Sequence, residues 1–386
     1  MNTSFGWKRT LVYSVLPTVA LLASLEAVAR IVEIWAPPCV VDFGLGFTPD
    51  SRLFVPDNTE PGVMATNPRK LGWCFNEHTF AMPKPAGTFR IFTLGGSNVY
   101  SLEGFLPDYE LRLAAAVGDE YTFEVINAGG VSYGSHRLVP VAAEIMAYEP
   151  DLVLLYTGHN EFEELEQLEL ADLETLWLQR LVSKSALCRF VRDLLGALKI
   201  NKLETEHNKR ILARNDLSFV VGGEMLGQIC ALTPDQLRQR VDTFRKNLSS
   251  IVTICQANNT PIIMGTVPSN YFKCGICSEG WERYEAVLDL FEKKQFEKGM
   301  MLAQEILQSV PHHQATDAEN DAILAVAEEY GVSVADVRAA IIAAEPNHVP
   351  GETLFEDHCH LSAEGFEILL NVYREQILAL LHTADT

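Results

Sequence analysis

The pattern of apolar and polar positions sorts most of the chain into alternating strands and helices. Phe89 to Leu94 (FRIFTL) is an apolar, β-branched run broken only by Arg90 and stopped by Gly95 and Gly96. Such a run predicts a buried parallel strand. Tyr121 to Asn127 (YTFEVIN), Asp151 to Thr157 (DLVLLYT), Pro261 to Val267 (PIIMGTV) and the shorter Val332 to Val337 predict further strands. Leu106 to Val117, Leu138 to Tyr148 and Gln236 to Asn258 read as helices, the last with Phe244, Leu248, Ile251, Val252 and Cys255 on one stripe. Ser362 to Leu381 closes the pattern as a helix with Ser362 as its N-cap. The alternation predicts an α/β fold with a mainly parallel sheet and helices on both faces.

Three stretches break the alternation. Residues 37–87 are rich in proline, glycine and asparagine without a long period, and read as extended linker and entry loops. Residues 161–216 hold a long helical insertion after the third strand, expected to overhang the strand ends. Residues 281–310 predict a helical hairpin with a break near Gln295. The hairpin resembles half of a tetratricopeptide array without a repeat at that period, and is a candidate surface for a protein partner. Residues 88–383, with the insertions at 161–216 and 281–310 inside them, are expected to form one domain.

The amino terminus changes the picture of where this domain works. Lys8 and Arg9 precede an apolar stretch from Leu11 to Leu25, and Glu26 and Arg30 are spaced to pair on one helix face before apolar residues resume to Trp35. A membrane anchor over residues 1–36, with the bulk of the chain extracytoplasmic, is the expected arrangement. Cleavage after Ala27-Val28-Ala29 is the alternative, a small-x-small pattern behind an apolar core. The formal net charge of -21 over 386 residues argues against nucleic acid and anionic lipid as electrostatic partners. Of 8 cysteines, Cys274 and Cys277 stand in a CxxC, for which a local disulfide is expected in an exported chain. Together with His358 and His360 they also form a weak zinc pattern whose spacing fits no finger.

The chemistry-bearing residues gather at the predicted strand ends. Ser97 follows the first strand, Gly129 and Gly130 the second, and Asn160 the third. Asp357-His358-Cys359-His360 precedes the last helix. A serine nucleophile needs a base and the base an orienting carboxylate, which His360 and Asp357 supply within one turn. His358 is the rival base, and His136 reads as a packing residue. Asn160 offers an amide to a developing oxyanion, or a cap to the helix after it.

These residues resemble the SGNH/GDSL hydrolases, a family marked by four dispersed blocks. LGGSN (Leu94 to Asn98), NAGGVSYGS (Asn127 to Ser135), TGHNEF (Thr157 to Phe162) and DHCHLSAEG (Asp357 to Gly365) stand in the family's order. The resemblance implies a flavodoxin-like three-layer α/β/α sandwich and hydrolysis of an acyl or acetyl ester on a glycan, lipid or small molecule. It implies Ser97, His360 and Asp357 as the catalytic set and no metal or organic cofactor. Two departures stand out: Gly96 occupies the place of the family's aspartate, and the expected oxyanion glycine falls on Ser132, with Gly130 two residues earlier. Two other readings stay open: an O-acyltransferase acting on envelope sugars through the same serine, and an idle membrane-anchored scaffold.

Overall fold

The computed structural model describes residues 7–35, 52–68, 70–71, 74–118, 120–161, 185–191, 217–229 and 232–384. The chain forms two compact units, Met1–Ser51 with Leu170–Ala213, and Arg52–Glu169 with Arg214–Thr386. The first contains one long helix, Trp7–Trp35. Its Glu26 carboxylate pairs with Arg30 at 2.7 Å and accepts hydrogen bonds from Ser185 Oγ and from the N–H groups of Ala186 and Leu187. Glu33 pairs with Arg189 at 2.6 Å. The 20 residues Val15–Ile34 have a mean hydropathy of 1.8, long and apolar enough to cross a membrane, and a signal sequence meets the same test. Most of the 161–216 insertion lies outside the described residues.

The second unit begins with β1 (Phe54–Pro56), β2 (Val63–Thr66) and β3 (Thr79–Ala81), a small antiparallel sheet within the stretch read as linker. Strands of three or four residues are too short to print a period. Their burial rests on a few aromatics instead: Phe54 and Phe80 meet edge-to-face at 5.0 Å, and Phe80 meets Phe92 at 5.9 Å.

The main sheet uses β4 (Thr88–Gly95), β5 (Thr122–Gly129) and β6 (Leu152–Tyr156), followed after the hairpin β7 (Leu217–Val221) and β8 (Glu224–Ile229) by β9 (Ile262–Gly265). Then come β10 (Gly275–Cys277) and β11 (Ser333–Ala335). The order β11-β9-β6-β4-β5 is parallel throughout, so its first strand, β4, lies between the second and the third. This is the flavodoxin-like order with its switch point between β4 and β6. The fold expected from the sequence is therefore the fold observed. Helix Pro234–Ala257 packs between Ser135–Ile145 and Asp317–Tyr330, while Ala363–Ala384 packs on Leu106–Ala116 and Val337–Ala344. The stripe Phe244, Leu248, Ile251, Val252 and Cys255 is wholly buried, as its period requires.

Arg90, the one charged residue in β4, is fully buried. Its guanidinium binds Glu124 at 2.5 Å and donates to the carbonyls of Tyr148 and Ala81, each at 2.8 Å. Removing the guanidinium leaves the two carbonyls without their donor, while Glu124, partly exposed, turns to water. Arg90→Met is expected to cost about 3 kcal/mol in urea denaturation; a loss under about 0.5 kcal/mol would show that these partners are satisfied without it.

Elements not anticipated from the sequence have local signals. Gly222 and Gly223 have φ 57 and 91 and join β7 to β8, the Gly-Gly form of a tight hairpin. Thr316 and Glu319 form a capping box that starts helix Asp317–Tyr330. The predicted strand Val332 to Val337 stops at Ala335 because Asp336 caps a helix over Val337–Ala344. The 281–310 hairpin is present as Ser278–Glu292 and Phe296–Leu307 and forms a second apolar core with β10.

One expectation is corrected. Cys274 and Cys277 are both free and buried. Cys274 precedes β10 and Cys277 ends it, and an extended chain rises about 3.3 Å per residue with successive side chains on opposite faces, which sends the two sulfurs apart. The zinc pattern fails with them: His360 faces Ser97, and the ring of His358 lies against His313 and Phe219.

Candidate active site

The switch point brings the blocks together at the carboxyl ends of β4 and β6. Ser97 opens the short helix Ser97–Tyr100 directly after β4. His360 Nε2 lies 2.8 Å from Ser97 Oγ, and His360 Nδ1 lies 2.6 Å from Asp357 Oδ2. The carboxylate fixes the proton on Nδ1 and leaves Nε2 to accept from the serine hydroxyl.

Asp357 Oδ1 accepts from the N–H of Cys359 at 2.9 Å and of His360 at 2.8 Å, so the D-x-x-H turn is closed by its own aspartate. Burial pushes this carboxyl up, but the His360 hydrogen bond and the two backbone N–H groups outweigh it and hold it well below its ordinary range. A depressed carboxyl contributes stability above its unfolded value of about 3.9, lost as pH falls from there toward the folded value. The Asp357 carboxylate therefore stays ionised through neutral and mildly acidic pH.

Two asparagines hold the loop against the nucleophile. Asn98 Nδ2 donates to Cys359 O at 2.9 Å, and Asn98 Oδ1 accepts from Leu361 N at 3.2 Å. Asn270 Nδ2 donates to Asp357 O at 2.7 Å. Asn127, at the end of β5, donates to Val99 O at 2.9 Å and steadies the helix carrying Ser97. His358 is not placed as the base: its Nε2 lies 3.1 Å from His313 Nδ1 and its Nδ1 is 3.8 Å from Asp357. His136 stands half-buried on helix Ser135–Ile145, where burial and then Arg137 lower its pKa.

Asn160 Nδ2 donates to Tyr133 O at 3.0 Å, which brings the second and third blocks into contact. An amide nitrogen has two hydrogens, so one remains for a ligand. Gly96 lies directly under this amide: a Cβ there would meet Asn160 Nδ2 at 2.4 Å and Tyr133 O at 3.0 Å. The glycine in place of aspartate is thus matched to the position of Asn160. Gly96→Ala is expected to leave the protein folded by circular dichroism and cut kcat about tenfold or more by displacing the amide; unchanged kcat would separate Asn160 from the chemistry.

Gly130 is corrected as an oxyanion donor, because its N–H already donates to Gly95 O at 3.0 Å. Ser132 is left as the second-block candidate; its φ of 59 places it at a left-handed bend in the same loop. Sequence reasoning missed Asn98, Asn270, His159 and Glu161. Glu161 accepts from Ser135 N at 2.9 Å and Ser135 Oγ at 2.7 Å, tying the third block to the helix after the second.

Gly96, Ser97, Asn98, Tyr156, Thr157, Gly158, His159 and Asn160 enclose a recess of about 10 Å³, room for a single water-sized group. A larger space of about 520 Å³ lies between helices near Ala143 and Ile254. It is lined mostly by apolar groups, with Thr253 and Asn258 but without a titratable side chain, and does not include Ser97.

No family model and no characterised protein sequence matches the chain. Among solved structures, a GDSL-like lipase from Parabacteroides merdae ATCC 43184 has TM-score 0.41 and 12% identity, over 74% of this chain and 94% of that chain. A GDSL-like lipase from Bacteroides thetaiotaomicron VPI-5482 has TM-score 0.38 and 12% identity, over 75% and 88%. An acetyl xylan esterase has TM-score 0.38 and 12% identity, over 75% and 99%. These are likenesses of backbone course. The strand order defines a flavodoxin-like α/β/α sandwich, and in its four blocks the chain resembles the SGNH/GDSL hydrolases.

Proposed function

We propose that the protein is a membrane-anchored serine esterase whose body lies outside the cytoplasm. The observation that carries the reading is the continuous hydrogen-bonded line Ser97–His360–Asp357 at the switch point. In the first half-reaction Ser97 Oγ attacks the ester carbonyl as its proton passes to His360 Nε2. The carbonyl electron pair moves onto oxygen, met by the Asn160 amide, the Ser97 N–H and the Ser132 N–H. Collapse breaks the bond to the alcohol oxygen, which takes the proton from His360. Water repeats the sequence, releasing the acid and restoring Ser97. Asp357 stays ionised and stabilises the imidazolium.

The narrowness of the recess beside Ser97 favours a short acyl group such as acetyl in this reading. A panel of p-nitrophenyl esters from acetate to octanoate, with acetylated sugars, tests this. The highest kcat/KM is expected for acetate; absence of hydrolysis across the panel would sink the esterase reading. The anchor is supported by the length and apolarity of Val15–Ile34. The full chain is expected to remain in the membrane fraction after alkaline carbonate washing, whereas a mature terminus at Arg30 would show cleavage.

A further inference from the structure

The recess beside Ser97 is lined by Tyr156, Thr157 and His159, each with a buried polar atom that neither the serine relay nor the oxyanion donors use. His159 is only 6% exposed and lines the recess next to Asn160. Its Nδ1 accepts the N–H of Ala315 at 3.1 Å, so the ring proton of the neutral imidazole sits on Nε2. That Nε2 is buried and has no hydrogen-bond partner among the described residues. Thr157 Oγ1, two residues earlier on the same wall, is buried without a partner as well. Buried polar groups are nearly always satisfied, so an open N–H on the wall of a candidate site calls for a partner.

We propose that His159 is a hydrogen-bond donor to the substrate, its Nε2–H meeting an oxygen of the ester held at Ser97. Burial, and then the neighbouring His360, His358 and His313, hold the imidazole well below its ordinary pKa and keep it in the neutral form. A neutral donor suits this place. A cation beside His360 would oppose the imidazolium formed when Ser97 gives up its proton. The role differs from that of His360, which moves a proton; His159 keeps its own and orients the ester. The assignment rests on the esterase reading and selects, within it, esters that present an acceptor oxygen to this wall.

The test separates the two ring nitrogens. His159→Asn keeps an acceptor near the Nδ1 position for Ala315 and loses the reach of Nε2. His159→Gln keeps a donor near Nε2 and loses the acceptor. With p-nitrophenyl acetate as probe and folding checked by circular dichroism, His159→Asn is expected to lose about tenfold or more in kcat/KM. His159→Gln is expected to stay within about threefold of the parent. The reverse order would assign His159 to holding Ala315, a structural role. Equal losses, or full activity in both, would also overturn the assignment. Fluorophosphonate labelling of Ser97 is run beside it: if the parent protein is not labelled, the esterase reading itself fails, and this assignment falls with it. If Ser97 is labelled and His159→Asn is fully active, only the role of His159 is lost.

Discussion

Ser97→Ala and His360→Ala will each remove ester hydrolysis by a factor on the order of 10⁴ or more, and the double variant will be scarcely worse than either. The expectation follows from geometry. A serine hydroxyl is a weak nucleophile at neutral pH, and among the described residues the imidazole nitrogen hydrogen-bonded to it is His360 Nε2 at 2.8 Å. Groups that move one proton between them fail together, so their losses do not add. Asp357→Asn should also be severe, because an amide at 2.6 Å from Nδ1 can turn its N–H toward the ring and favour the wrong tautomer. His358→Ala should be mild by comparison, as its ring is engaged with His313 rather than Ser97. Additive losses for Ser97 and His360, or a larger loss at His358, would break the assignment of the base.

Asn160→Ala is expected to cost on the order of 10²–10³ in kcat with KM little changed. The tetrahedral intermediate carries a full charge on the former carbonyl oxygen, whereas the ground-state ester does not, so a donor aimed there acts on kcat. The Asn160 amide is already steadied by Tyr133 O at 3.0 Å, which spares reorganisation at the moment of reaction. Ser132 contributes by its backbone alone in this account. At φ 59 glycine is fully tolerated, so Ser132→Gly should be nearly silent, while proline, fixed near −65°, would rebuild the loop. A Ser132→Gly variant as damaged as Asn160→Ala would place the hydroxyl in the chemistry. A fully active, folded Asn160→Ala would reduce Asn160 to a loop staple.

The sheet and the Asp357–His360 pair were legible in the sequence because both are written in local patterns. Five apolar runs bounded by turn residues became five parallel strands, and their order follows from packing crossovers on both faces. His360 and Asp357 could be paired by eye because three residues of turn bring them together. What stayed hidden depends on contacts distant in sequence. Asn98 grips the Cys359–Leu361 loop across more than 260 positions, and nothing near Asn98 signals it. Gly130 looked like a free donor until the pairing of the strands gave its N–H to Gly95. The Cys274–Cys277 spacing suggested a bridge because the extended β10 could not be foreseen from three residues. Nothing in the TGHNEF block marks His159 as different from its neighbours. Its burial against Ala315 depends on a loop that lies more than 150 positions away.

The central claim is that His360 makes Ser97, and no other serine, a nucleophile. Fluorophosphonate labelling of the full-length protein followed by peptide mass mapping addresses it directly. The account predicts one adduct, on Ser97, that is lost in Ser97→Ala, nearly lost in His360→Ala, and retained in His358→Ala. Absence of an adduct in the folded parent protein, or an adduct on a different serine, would contradict it.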